Sequence, residues 1–359
     1  MSRPSAQLAS VPALRDAPLR QALRPLQRFL DEPGVTEVVI NRPGEVVTET
    51  DSGWRHTRED GITLEWLRDF VQLAATYNEA VCNEKQPILS GVLPHGERVQ
   101  IVLPPTVEPG IVAVTIRVPS QATRTREDYQ AVGFTDELGA EPRELTDEEK
   151  RLPLDDRVLL QHKLKGEWWE FFAEAVRRKK NIIISGQTGV GKTTFTRTII
   201  EYIPSHERVV TIEDTRELLL PNHPNRVHLI ASETHDAVAL LKSCMRMKPD
   251  RILLAELRDS TALEFISTAS SGHPGTITTV HAGHCAQAFH RMARLIRQSP
   301  DVGTMTQVEI LALLKASVDI VIQMHVRELV DRTSSTGVRK KRIISEVYYD
   351  PLAARKGII

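Results

Sequence analysis

Cysteine is scarce in this 359-residue chain. Three occur, Cys82, Cys244 and Cys285, far apart and never as C-x-x-C. That pattern argues against a disulfide scaffold and against a cysteine-bound zinc, and a reducing cytoplasm is the simplest compartment. No apolar run approaches the roughly 20 residues that cross a bilayer. Met1 to Arg20 has no apolar stretch of the kind that directs export, so no signal peptide is expected. If the protein works at a membrane, it docks there through partners or a surface patch. Charge of one sign is not in excess: 46 Lys and Arg against 47 Asp and Glu leave a formal net charge of −1. Composition therefore does not argue for nucleic acid as the main partner. There is no internal repeat and no low-complexity segment. What is present is an ordinary globular composition, 41% hydrophobic and 26% charged, in a chain long enough for two domains with a core each.

Residues 1–20 carry Pro4, Pro12 and Pro18 and read as a poorly ordered arm. Residues 21–120 read as a small α+β domain. Leu23, Leu26, Phe29 and Leu30 recur at helical spacing, and Thr63 is placed to cap a helix running to about Ala80. Glu37 to Ile40 and Glu45 to Thr48 read as strands around the turn Asn41-Arg42-Pro43-Gly44. In Arg98 to Leu103 and Val112 to Val118 the apolar residues alternate, which sets Arg98 and Arg117 on the more polar face of a sheet. On pattern alone each is a solvated charge.

Residues 121–165 are rich in Glu, Asp, Arg and Pro and read as an extended linker with one short helix. A connection of that length would let the first domain pack on a neighbouring subunit. Residues 166–359 alternate helix and strand, with strands at 181–184, 209–212, 226–230, 251–255 and 276–280 and late strands at 318–324 and 343–349. Such alternation predicts the α/β class, a mainly parallel sheet covered by helices on both faces. Two basic runs, Arg177 to Lys180 and Arg339 to Arg342, read first as solvated. Contact with anionic lipid or nucleic acid is their other reading.

The chemistry begins at Gly186-Gln187-Thr188-Gly189-Val190-Gly191-Lys192-Thr193. This fits G-x-x-x-x-G-K-[ST], the phosphate-cradling loop of nucleotide-hydrolysing proteins, between a buried strand and a helix that starts near Thr194. Glycines let backbone N–H groups approach phosphate oxygens, Lys192 supplies a mobile positive charge, and the Thr193 hydroxyl reaches Mg²⁺. In open α/β sheets ligands sit beyond the carboxyl ends of the parallel strands. After 209–212 come Glu213 and Asp214, after 251–255 comes Glu256, and after 276–280 comes His281. A phosphate cradle, acidic groups and an imidazole thus converge on one edge. Glu256 is a candidate to hold Mg²⁺ through water or to orient the attacking water, Glu213 is a second candidate for polarising water, and His281 a sensor of the γ-phosphate. Arg98 and Arg117 would add positive charge if the first domain closes over the nucleotide. No N-K-x-D occurs, which speaks against a GTPase.

At these residues the sequence resembles the secretion ATPases, ring-forming motors of type II secretion, type IV pili and type IV secretion. The likeness runs from about Leu23 to Tyr349 and rests on four motifs in order. They are the phosphate loop, the aspartate box Thr211 to Leu218, the second NTPase motif at Glu256 with Leu257-Arg258-Asp259, and the histidine box ending at His281. Asn41 to Glu45, Leu93 to Pro105 and Thr115-Ile116-Arg117 resemble the type IV secretion branch. Type II secretion and pilus-extension members carry a four-cysteine zinc insertion that three scattered cysteines cannot build. The resemblance implies a RecA-like C-terminal domain, a homohexameric ring and Mg²⁺-dependent ATP hydrolysis at the cytoplasmic face of a bacterial inner membrane. Hydrolysis would power pilus assembly and export of protein or DNA–protein cargo, in contact with inner-membrane components of the machine. A pilus-retraction motor of the same family is the alternative. The resemblance also implies that Arg98 and Arg117 act on the nucleotide, together with Gly186, Thr188, Gly189, Val190, Gly191, Lys192, Thr193 and Thr194.

Overall fold

Two sheets of opposite character organise the chain. The computed structural model describes residues 16–50, 52–119, 123–232, 235–259, 261–270, 272–330 and 338–356. By contacts the chain divides into unit 1, residues 1–121 with 329–340, and unit 2, residues 122–328 with 341–359.

Unit 1 holds strands whose central members alternate between buried and more open residues. They are β1 (Glu37–Ile40), β2 (Glu45–Thr50), β3 (Gly53–Arg58), β4 (Ile88–Val92), β5 (Arg98–Val102) and β6 (Ala113–Arg117), in the order β3-β2-β1-β6-β5-β4 and antiparallel throughout. Alternation leaves one face apolar. Val38, Ile40, Val99, Ile101, Val114 and Ile116 line it and pack with Leu19, Leu26, Leu67, Phe70 and Val71. Those last residues come from helices α1 (Ala17–Ala22), α2 (Arg24–Leu30) and α3 (Leu64–Tyr77). Thr63 starts α3, its hydroxyl accepting from Trp66 N at 3.1 Å. Of the arm expected at 1–20, residues 1–15 lie outside the described residues, and Ala17 onward is helical with Leu19 buried.

Unit 2 holds strands that are wholly buried at the centre of their sheet and more open toward its edges. They are β7 (Ile182–Ser185), β8 (Val209–Glu213), β9 (Arg226–Ile230), β10 (Arg251–Leu254), β11 (Ile277–Val280), β12 (Ile320–Val330) and β13 (Val338–Tyr349). The order is β13-β12-β7-β11-β10-β8-β9, and the neighbours from β12 to β9 pair in parallel. Successive residues feed different cores: Ile182 and Ile184 join one cluster with Phe171, Phe172 and Phe195, while Ile183 joins another with Phe265, Met292 and Leu314. Both faces of the sheet are therefore covered. The first face is packed by α6 (Trp168–Arg177) and α7 (Lys192–Ile200), the second by α8 (Ala237–Cys244), α9 (Thr261–Ser270), α10 (Cys285–Ile296) and α11 (Gln307–Ser317). This is the α/β class that the alternation predicts.

Of residues 121–165, read from composition as an extended linker, 123–165 lie in unit 2. They carry α4 (Arg126–Ala131) and α5 (Leu154–Lys165) and send Tyr129, Phe134, Leu152, Leu159 and Leu160 into its core. Tyr129 and Phe134 pack on Phe195 of α7, with ring centroids 5.8 and 5.2 Å away. Burying a ring such as Phe195 contributes about 2–3 kcal/mol, so this segment steadies the helix that opens at Lys192.

Candidate active site

Strand order decides which side chains can meet. β7, β11, β10 and β8 are consecutive and parallel, so their carboxyl ends lie side by side, roughly 5 Å apart. The phosphate loop follows β7, His281 follows β11, Glu256 follows β10, and Glu213 ends β8. His281 must therefore stand between the loop and Glu256.

The backbone holds these ends in place. Gly186 N donates to Val280 O at 3.2 Å, tying the loop to β11. Ala255 N donates to Ile212 O at 3.0 Å and Leu257 N to Thr279 O at 2.9 Å, which fixes Glu256 between β8 and β11. Gly189 and Gly191 adopt left-handed φ of 75° and 94°, turning the loop into the N-terminus of α7. Gln187, Thr188 and Gly189 form an exposed tip, while Val190 is buried. Thr193 and Thr194 lie in the first turn of α7.

Side chains then form a chain along the sheet edge. Lys192 is 8% exposed, and its ammonium donates to Gly186 O at 2.8 Å and Gln187 O at 3.0 Å and lies 3.1 Å from His281 Nδ1. An ammonium has only donors, so Nδ1 accepts and the ring proton belongs on Nε2. That nitrogen faces Glu256 Oε1 at 3.1 Å. The other Glu256 oxygen accepts from Arg258 at 2.8 Å, and Arg258 also pairs with Asp214. The sequence of partners is Lys192, His281, Glu256, Arg258, Asp214.

Electrostatics follows from these contacts. Burial opposes ionisation of Glu256, but the Arg258 hydrogen bond, the Arg258 charge, and then His281 and Lys192 outweigh it and hold the carboxyl below its usual range. Burial, with the Lys192 charge, also lowers the pKa of His281, against Glu256 and the Gly186 backbone, which raise it. An ionised carboxylate beside a neutral imidazole results.

Glu213 has a different setting. It is 2% exposed, with Oε1 accepting from the Thr211 hydroxyl at 2.8 Å and Oε2 from Glu217 N and Leu218 N at 2.7 Å each. Its carboxylate closes the turn of the aspartate box. Arg98 and Arg117 lie in unit 1, on adjacent strands and directly opposite in register. Arg258 and Asp214 carry contacts that motif reading left without a role. The signal was an arginine two residues past Glu256, but its reach across to β8 is a tertiary fact. Among the described residues no helix is long and apolar enough to cross a membrane, and no cluster of three His, Cys, Asp or Glu is placed to hold a metal.

The sequence model of the family described as type II/IV secretion system protein matches residues 20–356. The chain belongs to this family. It is 40% identical over 349 residues to the type IV secretion system protein VirB11 of Brucella suis biovar 1, covering 95% of this chain and 92% of that protein. It is 35% identical to the type IV secretion system protein PtlH of Bordetella pertussis, covering 94% and 98%. Among solved structures it is similar to the VirB11 ATPase of the Brucella suis type IV secretion system, in complex with sulphate, at 40% identity, TM-score 0.52 and coverage of 96% and 98%. The Legionella pneumophila ATPase DotB, 18% identical with a TM-score of 0.54, shares the fold over 98% of this chain and 85% of that one. The resemblance read from the four motifs is borne out: the chain is a secretion ATPase of the type IV branch, with a RecA-like ATPase fold.

Proposed function

We propose that this secretion ATPase is a Mg²⁺-dependent, homohexameric motor. It works peripherally at the cytoplasmic face of a bacterial inner membrane, docked on inner-membrane components of its type IV secretion machine. Its turnover powers pilus assembly and export of protein or DNA–protein cargo. The observation that carries the reading is the linked row of Lys192, His281 and Glu256 across three adjacent strand ends. Relatives named as type IV secretion proteins at 35–40% identity favour this role over a retraction motor.

Each residue has a task in ATP hydrolysis. Backbone N–H groups of Gly186, Thr188, Gly189, Val190, Gly191 and Thr194 line the phosphates at the positive end of α7. Lys192 exchanges loop carbonyls for phosphate oxygens. The hard oxygens of Thr193 and Glu256 suit Mg²⁺, which keeps most of its shell as water and phosphate. Bound Mg²⁺ would neutralise charge developing on the phosphate oxygens. Glu256, held ionised, accepts a proton-bearing bond from the attacking water and orients it. His281 touches both Lys192 and Glu256, so loss of the terminal phosphate changes both of its contacts at once. Glu213 we assign to holding the aspartate-box turn, since its oxygens are engaged by Thr211, Glu217 and Leu218. To Arg98 and Arg117, opposite each other on adjacent strands of unit 1, we assign positive charge for the phosphates.

Phosphate release from Mg-ATP tests the reading. Turnover per chain should rise with protein concentration as rings assemble, and Glu256→Gln should lower it by ~10²-fold or more. Wild-type turnover in Glu256→Gln would remove Glu256 from the chemistry.

A further inference from the structure

Both oxygens of Glu256 are engaged, Oε1 by His281 and Oε2 by Arg258. Each oxygen keeps a second lone pair for a water, but the Arg258 charge weakens the carboxylate as an acceptor and fixes its plane. Opening one contact would strengthen the carboxylate's hold on the attacking water, and the two differ in kind. His281 is fixed by its strand and is tied to the nucleotide through Lys192. Arg258 has somewhere else to go, because its guanidinium already reaches Asp214, beyond the end of β8. Its backbone meanwhile cannot follow. Arg258 N accepts no freedom from the turn: it donates to the Thr261 hydroxyl at 3.2 Å, that hydroxyl donates back to Arg258 O, and the next residue, Asp259, sits at a left-handed φ of 49°. A pinned backbone under a long side chain makes a swinging arm with two carboxylate stops.

We propose that Arg258 is a positioning residue for ATP hydrolysis, which holds Glu256 in reserve and releases it by shifting onto Asp214. The proposal rests on the reading of Glu256 as the group that orients water. Asp214, from the aspartate box, shares one guanidinium with Glu256, each on its own nitrogen. A planar fork can serve two carboxylates at once, which a lysine cannot. Removing Asp214 leaves Arg258 on Glu256 and keeps the carboxylate engaged. Removing Arg258 as well frees it.

The prediction is one of epistasis, read from kcat and KM for phosphate release by the full-length chain. Asp214→Asn lowers kcat about tenfold, with KM changed less than twofold. The double variant Asp214→Asn with Arg258→Gln recovers most of that loss. Arg258→Lys, which keeps the charge but not the fork, weakens the response of kcat to Asp214→Asn. Thermal melting of each variant shows that it is folded. A double variant as slow as Asp214→Asn, or slower, overturns the proposal and leaves Arg258 a structural tie. Glu256→Gln is measured alongside: if it turns over like the wild type while the double variant still rescues, it is the reading of Glu256 that fails, not the exchange of Arg258.

Discussion

The ring of His281 stands against Lys192, its Nδ1 3.1 Å from the lysine Nζ. Burial disfavours the charged ring, and the Lys192 cation on that side adds to it, so the histidine pKa lies below its ordinary 6.5. The folded protein then binds fewer protons at this ring than the unfolded chain does. Stability contributed by the neutral ring is present above about pH 6.5 and lost as the pH falls toward the lowered value. Glu256 stays ionised through this window, since its own pKa is lowered from 4.5. The acid limb of ATP turnover between pH 7 and 5.5 should therefore report His281. His281→Asn should remove most of that limb and flatten the fall in melting temperature over the same range. An unchanged limb in the variant would assign it to another group.

Gly275 and Arg251 give a test at the opposite end of the sheet. Arg251 is wholly buried and its Nε donates to Glu207 Oε2 at 2.6 Å. A Cβ on Gly275 would lie 2.6 Å from Arg251 Nη1 and 3.0 Å from its Cδ, and Gly275 has a φ of +83°. Gly275→Ala combines overpacking with left-handed strain and should cost about 2–4 kcal/mol. Urea unfolding measures it. In a background of Arg251→Met with Glu207→Gln, which removes the clash and the buried ion pair together, Gly275→Ala should recover part of the loss. No recovery would place the whole cost in the backbone.

The site was legible because its residues follow buried parallel strands, and such strands announce themselves. Ile182 to Ile184, Ile252 to Leu254 and Ile277 to Val280 are short apolar or β-branched runs, and the residue after each strand is fixed at the working edge. Elements with weaker patterns were less legible. β3, with Trp54, Arg55 and His56 exposed, and β4 are the outer strands of their sheet. Edge strands carry polar residues that hide the alternation. In α5 the buried Leu159, Leu160 and Leu164 are set among Asp155, Asp156, Arg157, Gln161, His162 and Lys163, so composition suggested a linker. The basic run at 177–180 is tied up locally: Arg178 meets Glu174 and Asp155, Lys179 meets Glu207, and Lys180 meets Asp156. Those partners are 4 to 28 residues away in sequence and no motif links them. Arg258 is the same lesson at the site, since its two carboxylates belong to different strands.

Glu37 supplies a last prediction, in unit 1. It lies in β1 directly opposite Glu49 of β2 and Arg117 of β6, and Arg117 lies opposite Arg98 of β5. Burial pushes the Glu37 carboxyl up to about 7, Arg117 works against that, and Glu49 adds to it. Its Oε2 is buried without a hydrogen-bond partner. A raised carboxyl pKa means that the folded chain holds more protons than the unfolded one. The stabilisation is present in full below about pH 4.5 and is lost as the pH rises through 7. The full shift would be worth at most ~3 kcal/mol, and partial solvent screening reduces it to ~1–2 kcal/mol. Glu37→Gln carries no charge at any pH. It should melt with the wild type at pH 5 and several degrees above it at pH 8. Equal melting at both pH values would mean that Arg117 offsets the burial of Glu37 in full.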